Sequence, residues 1–98
     1  MNMDTNIHGI LVQAPLPDHI PYRDIVEEID PRKDVDGFTR TNIGNLFLGE
    51  DSGLISCTPK GIKKLLDAYK ISLEGKHVVI LGRSNIVGKP MSLIAINA

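Results

Sequence analysis

A short loop bounded by glycines holds the residue types best suited to binding a phosphate. Residues 82–90 read Gly-Arg-Ser-Asn-Ile-Val-Gly-Lys-Pro and directly follow the apolar run His-Val-Val-Ile-Leu of residues 77–81. In nucleotide-binding proteins, backbone N–H groups at the start of the next helix face phosphate, and an arginine such as Arg83 binds phosphate through two hydrogen bonds. Because Ser84 occupies the second glycine position of the G-x-G-x-x-G fingerprint, a glycine turn without a ligand stays open as the alternative.

Three further residues have side chains that could bind or position a ligand. Asp36 lies in the turn Lys-Asp-Val-Asp-Gly of residues 33–37, where its carboxylate could accept N–H donors from a heterocycle or only close an Asx-turn. Gln13 ends an apolar run at the edge where α/β proteins place ligand contacts, although a surface glutamine could end a strand there too. Cys57 precedes a predicted helix whose dipole would favour its thiolate, and a small buried side chain is the alternative.

No metal site is expected from the spacing of potential ligands. The turn at residues 33–37 lacks the further ligands and the closing glutamate of a calcium loop. The three histidines, His8, His19 and His77, are scattered without the spacing of a zinc site.

Composition indicates soluble globular material and argues against two classes of partner. The 98 residues are 42% hydrophobic and 23% charged, and ten of the twelve acidic residues lie at or before Asp51, so the basic half contains the glycine loop. An aromatic content of 4% and the lack of an arginine cluster argue against nucleic acid. No apolar stretch approaches the roughly 20 residues of a membrane span, and a single cysteine agrees with a reducing compartment, so a cytoplasmic location is expected.

Hydrophobic spacing predicts the elements that must position these residues. Residues 7–13 predict a strand ended by two prolines, and residues 21–29 predict a short amphipathic helix. Turn formers dominate residues 31–57 and predict a long functional loop. A helix is predicted over residues 58–69, with Thr58 as N-cap and Pro59 in its first turn. Residues 77–81 predict a second strand, and Pro90 opens a last helix.

Four motifs in this order resemble one enzyme family. They read Gly-Ile-Leu-Val-Gln-Ala-Pro-Leu-Pro at residues 9–17, Lys-Asp-Val-Asp-Gly-Phe at 33–38, Cys-Thr-Pro-Lys-Gly at 57–61, and the glycine loop at 82–90. Together they resemble the bifunctional methylenetetrahydrofolate dehydrogenase/methenyltetrahydrofolate cyclohydrolase family over almost the whole chain.

The resemblance implies an α/β fold that is part of a two-domain enzyme. Residues 1–58 would be the C-terminal part of the folate-binding catalytic domain. Residues 59–98 would be the connecting helix and the first strand and helix of a Rossmann-type NADP domain. The parent enzyme would oxidise methylene-tetrahydrofolate to methenyl-tetrahydrofolate with NADP and hydrolyse that product to formyl-tetrahydrofolate. The resemblance also implies cytoplasmic one-carbon metabolism, a role in purine biosynthesis and a homodimeric parent.

The same resemblance assigns roles to individual residues. It implies that Gln13 orients the reacting groups and that Asp36 holds the pterin ring through its amino and ring N–H donors, beside one hollow. It further implies that Cys57 and Pro59 line the cleft. The residues that would contact NADP are Gly82, Arg83, Ser84 and Gly88, with Arg83 favouring the 2′-phosphate.

The chain also departs from the family pattern. Ala14, Thr39 and Ser56 stand where Leu, His and Pro are usual, and Ser56 is expected to loosen the approach to Cys57. The family's Tyr-x-x-x-Lys motif lies upstream of the Gln13 motif and is not among these 98 residues. Since such a lysine supplies proton transfer, we expect the isolated chain to be inactive. The alternative function is a truncated chain that acts only as a ligand-binding or subunit-interaction fragment.

Overall fold

Four helices form the regular structure of the chain. The computed structural model describes all 98 residues, Met1–Ala98. The helices are α1 (Tyr22–Glu27), α2 (Arg40–Leu48), α3 (Cys57–Ala68) and α4 (Gly88–Ile96). Helices α1, α3 and α4 confirm the predictions made from hydrophobic spacing.

Helix α2 shows that the prediction of a loop over residues 31–57 is wrong in its middle. The Thr39 hydroxyl accepts a hydrogen bond from the Asn42 N–H at 3.3 Å, which caps the start of the helix. Gly49 ends it in the left-handed conformation, with φ of 73°. The segment was missed because Asn42, Gly44 and Asn45 are weak helix formers, whereas its stability comes from the cap and from burial.

The first turn of α3 differs from the prediction by two residues. Ser56, not Thr58, is the N-cap, so the prediction of Thr58 as cap is wrong and Thr58 lies inside the helix. Pro59 is the third helical residue, where its missing N–H removes no helical hydrogen bond.

The two predicted strands are not confirmed by the structure. The one β contact is an isolated parallel bridge between Ile10 and Asp34. Residues 77–81 belong to no sheet, and there Val79 is 70% and Leu81 98% exposed. A strand is defined by hydrogen bonds to a neighbouring strand, and no other segment of these 98 residues supplies one.

The apolar core is small and lies between α2, α3 and α4. Leu46 of α2 packs with Met91 and Ile94 of α4, and side chains of partial exposure pack around them: Ile55, Leu66, Leu73, Ile80 and Leu93. The radius of gyration is 14.7 Å, against about 13 Å for a typical 100-residue domain. The chain is therefore more extended than its length predicts.

A buried carboxylate organises the turn that leads into α2. Asp34 is 1% exposed, and its Oδ2 accepts hydrogen bonds from the Thr39 N–H at 2.8 Å and the Asn42 side-chain amide at 2.9 Å. Burial raises the pKa of Asp34, but hydrogen bonds from Asn42, Thr39 and Phe38 outweigh it, so the pKa is lowered overall. The carboxylate is therefore held in its charged form.

Asn42 links this carboxylate to two other segments. Its amide nitrogen also donates to the Pro31 carbonyl at 2.8 Å, and its Oδ1 accepts from the Leu54 N–H at 3.1 Å. One side chain, 3% exposed, thus joins the loop before α2 to the loop after it.

Replacing Asn42 by alanine is expected to lower the free energy of unfolding by about 2–4 kcal/mol, because one buried and two partly buried hydrogen bonds are lost and Asp34 keeps fewer partners. Chemical denaturation of the chain measures this. Thr41→Ala is the matched control, since Thr41 is exposed on the same helix and makes no side-chain hydrogen bond. Equal loss in both variants would contradict the role of Asn42.

Acid should destabilise the chain through Asp34. The folded-state pKa of Asp34 is lowered, so its charged form adds to the free energy of unfolding. That addition is complete above the ordinary pKa of 3.8 and is lost as the pH falls from there through the folded-state pKa. Asp30, whose pKa Arg32 lowers to about 2 through hydrogen bonds, acts in the same direction. Between pH 6 and pH 3, the free energy of unfolding measured by chemical denaturation should therefore fall less in Asp34→Asn than in the unmodified chain. An equal loss in both would show that Asp34 does not contribute.

Candidate functional site

One hollow brings together three of the residues that the sequence singled out. Its volume is about 140 Å³, and Gln13, Asp36 and Cys57 all line it. The other lining residues are Leu11, Val12, Ala14, Tyr22, Phe38, Ser56, Thr58 and Ile86. The walls thus come from residues 11–14, from α1, from the turn before α2, from the start of α3 and from the glycine loop.

Asp36 faces this hollow with its carboxylate free to accept hydrogen bonds. Its pKa is raised by partial burial and then by the negative charge of nearby Asp34. Gly37, directly after it, has φ of +67°, and a side chain there would meet the Leu54 carbonyl carbon at 2.9 Å. The turn that presents Asp36 therefore requires glycine at position 37.

Tyr22 also lines the hollow, although no motif of the sequence indicates it. Its hydroxyl donates to the Val12 carbonyl at 3.3 Å. The pKa of Tyr22 is raised by burial and by the charges of Asp36 and Asp34. Helical spacing placed Tyr22 on the apolar face of α1, but nothing in that pattern shows that its hydroxyl reaches residues 11–14.

The remaining predicted folate-side residues lie in different surroundings. Gln13 is exposed, and its amide nitrogen donates to the Ala14 carbonyl at 3.0 Å. Cys57 is also exposed, and its Sγ lies 3.9 Å from the Val35 carbonyl oxygen as a donor. Pro59 is buried and does not line the hollow.

The glycine loop is folded around Ser84. The Ser84 hydroxyl accepts hydrogen bonds from the Val87 N–H at 3.1 Å and the Gly88 N–H at 3.2 Å, and its carbonyl accepts from the Lys89 N–H at 2.9 Å. The first amides of α4 are thus satisfied within the chain. A serine hydroxyl that accepts two bonds still has its own proton to donate.

Gly82 and Gly88 are required by the closeness of the two ends of this loop. Gly82 has φ of +134°, a region that side chains rarely adopt. A Cβ on Gly88 would lie 2.6 Å from the Gly82 carbonyl oxygen, which is too close for any side chain. Both glycines are therefore explained by geometry.

Positive charge lies on the outside of the loop. Arg83 and Lys89 are both exposed, and neither forms an ion pair or a side-chain hydrogen bond within the chain. A guanidinium in this position has its full set of donors available to an anion.

Ser56 joins the hollow to the glycine loop. It is 4% exposed, and its hydroxyl donates to the Ile86 carbonyl at 2.8 Å. The sequence predicts that Ser56 loosens the approach to Cys57. In the structure, the Ser56 side chain is buried and hydrogen-bonded.

The structure contains neither a metal-binding cluster nor a helix able to cross a membrane. No group of three or more His, Cys, Asp or Glu residues is arranged to hold a metal ion. None of the four helices combines the length and the apolar character that crossing a membrane requires.

Two family models match the chain. The model described as tetrahydrofolate dehydrogenase/cyclohydrolase, catalytic domain, matches residues 1–36. The model described as tetrahydrofolate dehydrogenase/cyclohydrolase, NAD(P)-binding domain, matches residues 56–98.

Sequence relatives agree with these models. The bifunctional protein FolD of Chlamydia muridarum is 58% identical over 94 residues, which cover 96% of this chain and 33% of the relative. The bifunctional protein FolD of Campylobacter jejuni is 57% identical over 98 residues, which cover 100% of this chain and 35% of the relative. The chain therefore spans about a third of the length of these curated relatives.

Solved structures give the same result. The bifunctional enzyme FolD, a methylenetetrahydrofolate dehydrogenase/cyclohydrolase from Campylobacter jejuni, superposes with a TM-score of 0.96 at 57% identity, covering 98% of this chain and 34% of that one. The Trypanosoma brucei FolD, solved with NADP cofactor and inhibitor, gives 0.90 at 35% identity, covering 98% and 33%. The models, the relatives and the superpositions show that this chain belongs to the tetrahydrofolate dehydrogenase/cyclohydrolase family.

Proposed function

We propose that these residues serve an enzyme that oxidises methylene-tetrahydrofolate with NADP and hydrolyses the methenyl product to formyl-tetrahydrofolate. The observation that carries the proposal is the hollow in which Gln13, Asp36 and Cys57 meet a residue of the glycine loop, Ile86. A reduced pterin in this hollow would lie beside the phosphate-binding loop. Transfer of a hydride from the pterin to a dinucleotide on this loop requires that the two molecules lie side by side.

On the folate side, Asp36 is the recognition group. Its carboxylate makes no hydrogen bond within the chain, so its oxygens are free to accept the amino and ring N–H donors of a pterin. Asp34 lies near it and keeps its negative charge, which strengthens the attraction of this turn for N–H donors. Gln13 lines the hollow and has one amide N–H on the Ala14 carbonyl, and its remaining amide groups would orient the reacting groups.

On the dinucleotide side, the glycine loop supplies the phosphate contacts. Bound NADP would supply the hydride acceptor for the oxidation. Arg83 would pair with the 2′-phosphate, and the Ser84 hydroxyl would donate its proton to a phosphate oxygen while it keeps the loop folded. Gly82 and Gly88, which let the two ends of the loop lie close together, would keep both side chains beside the dinucleotide. The segment 77–81 with α4 would then be the first strand and helix of a Rossmann-type domain, with the domain boundary at residues 58 and 59.

The wider setting of this activity is proposed from the family resemblance. It includes a cytoplasmic, homodimeric enzyme of one-carbon metabolism that supports purine biosynthesis. We also propose that the 98 residues by themselves do not turn over, because they include no Tyr-x-x-x-Lys motif for proton transfer. Ligand binding without turnover is the second candidate function, and it is favoured because Gln13, Asp36 and Cys57 line one hollow with Ile86 of the glycine loop.

A segment exchange tests the proposed function. The 98 residues replace the aligned 98 residues of the Campylobacter jejuni relative, and NADPH formation from methylene-tetrahydrofolate is measured by absorbance. We expect an active enzyme, in which Asp36→Asn lowers kcat/KM about 10- to 100-fold through loss of charged hydrogen bonds. Asp51→Asn, an exposed carboxylate without an ion pair, should leave kcat/KM within about twofold of the parent.

The stability of the Asp36→Asn variant separates lost function from lost folding. Because the pKa of Asp36 is raised, its charge is unfavourable in the folded chain, so Asp36→Asn should not reduce stability at neutral pH. An inactive exchanged enzyme that still folds, or an Asp36→Asn variant with full activity, would contradict the proposal. Turnover by the isolated 98-residue chain would contradict its second part.

Arg83 should decide the preference between the two dinucleotides. In the exchanged enzyme, Arg83→Ala is expected to raise the KM for NADP roughly tenfold, because an exposed charged contact to the 2′-phosphate is lost. The KM for NAD, which has no 2′-phosphate, should change less than about twofold. Initial-rate kinetics with each dinucleotide measure this, and an equal rise for both would show that Arg83 does not contact the 2′-phosphate.

A further inference from the structure

Two side-chain hydrogen bonds connect residues 1–58 with residues 59–98. One runs from the Ser56 hydroxyl to the Ile86 carbonyl at 2.8 Å, at the start of α3 and the middle of the glycine loop. The other runs from the Asn97 amide to the Leu46 carbonyl at 2.7 Å, at the far ends of α4 and α2. Of the two, only the Ser56 bond reaches the loop.

The local alternative for the Ser56 side chain is not used. Ser56 is the N-cap of α3, where a serine oxygen ordinarily accepts from the second or third N–H of the helix. Here no such capping bond forms, and the hydroxyl instead donates across 30 residues of sequence to Ile86. The Ser56 side chain thus forms a bond to the loop and no capping bond to the helix.

Ser56 also lies between two spaces. It lines the hollow together with Ile86, and it lines a gap of about 40 Å³ beneath the loop together with Asn85, Lys89 and Pro90. A shift of the Ile86 carbonyl would therefore move a wall of the hollow and the backbone of the loop at once.

We propose that Ser56 is a positioning residue that holds the glycine loop, through the Ile86 carbonyl, in the place where it binds the dinucleotide phosphates. This inference rests on the proposed function of the loop. Without the bond, the loop samples more conformations, and dinucleotide binding must restrict them. The effect falls on affinity for the dinucleotide, because the Ser56 hydroxyl is bonded to the glycine loop through the Ile86 carbonyl.

The test compares three variants in the exchanged enzyme described above. Ser56→Ala should raise the KM for NADP roughly three- to tenfold, the value of one hydrogen bond, with kcat changed less than about twofold. Ser56→Thr keeps the hydroxyl and should restore the KM. Asn97→Ala is the matched control, since it removes the other connection between the two parts and should leave the KM within about twofold.

A second measurement follows the loop directly in the 98-residue chain. Amide hydrogen exchange of residues 82–89 should be faster in Ser56→Ala by a similar factor and unchanged in Asn97→Ala. Equal KM values in Ser56→Ala and the parent, or an equal rise in Asn97→Ala, would overturn the role of Ser56. If the parent exchanged enzyme were folded but inactive, the proposed function would fail, whereas an active parent with an indifferent Ser56→Ala would overturn only this inference.

Discussion

The buried carboxylate of Asp34 is the constraint on which the hollow beside Asp36 depends. A charge that is 1% exposed is tolerated only because Thr39 and Asn42 donate hydrogen bonds to it. Those donors sit at the start of α2, so the carboxylate fixes where the helix begins. The turn of residues 33–37 then has a single position, and Asp36 is presented to the hollow as a consequence. A structural charge thus orients a second carboxylate that lines the hollow.

The two carboxylates of this turn have opposite environments. Hydrogen bonds hold the pKa of Asp34 below its usual value, while burial and the charge of Asp34 raise that of Asp36. The charge of Asp34 therefore stabilises the fold, whereas the charge of Asp36 opposes it. The same division appears at the glycine loop, where Ser84 satisfies the amides of α4 and Arg83 remains without a partner in the chain. In both places, a side chain with hydrogen-bond partners in the chain lies next to a charged side chain that has none.

Sequence patterns predicted α1, α3 and α4 because each carries apolar residues at helical spacing. They missed α2, because Asn42 and Gly44 are weak helix formers. The start of α2 is stabilised by the hydrogen bond from Asn42 to Asp34, eight residues earlier. The family resemblance predicted a hollow beside Gln13 and Asp36, and the structure places both residues there. Tyr22 and Ser56 could not be predicted, since their bonds to Val12 and Ile86 depend on chain packing and leave no local pattern. The two predicted strands do not form, because an apolar sequence favours pairing but does not show whether a neighbouring strand is present to pair with.

The central claim is that the hollow beside Asp36 binds a reduced pterin next to the glycine loop. Its most direct test is titration of the isotope-labelled 98-residue chain with a reduced folate analogue, followed by the backbone amide shifts of each residue in two-dimensional NMR. We predict saturable shifts concentrated at Gln13, Asp36 and Ile86, with little change along the exposed half of α3. Shifts that are absent at these three residues, or that concentrate on another surface while the chain remains folded, would contradict the account.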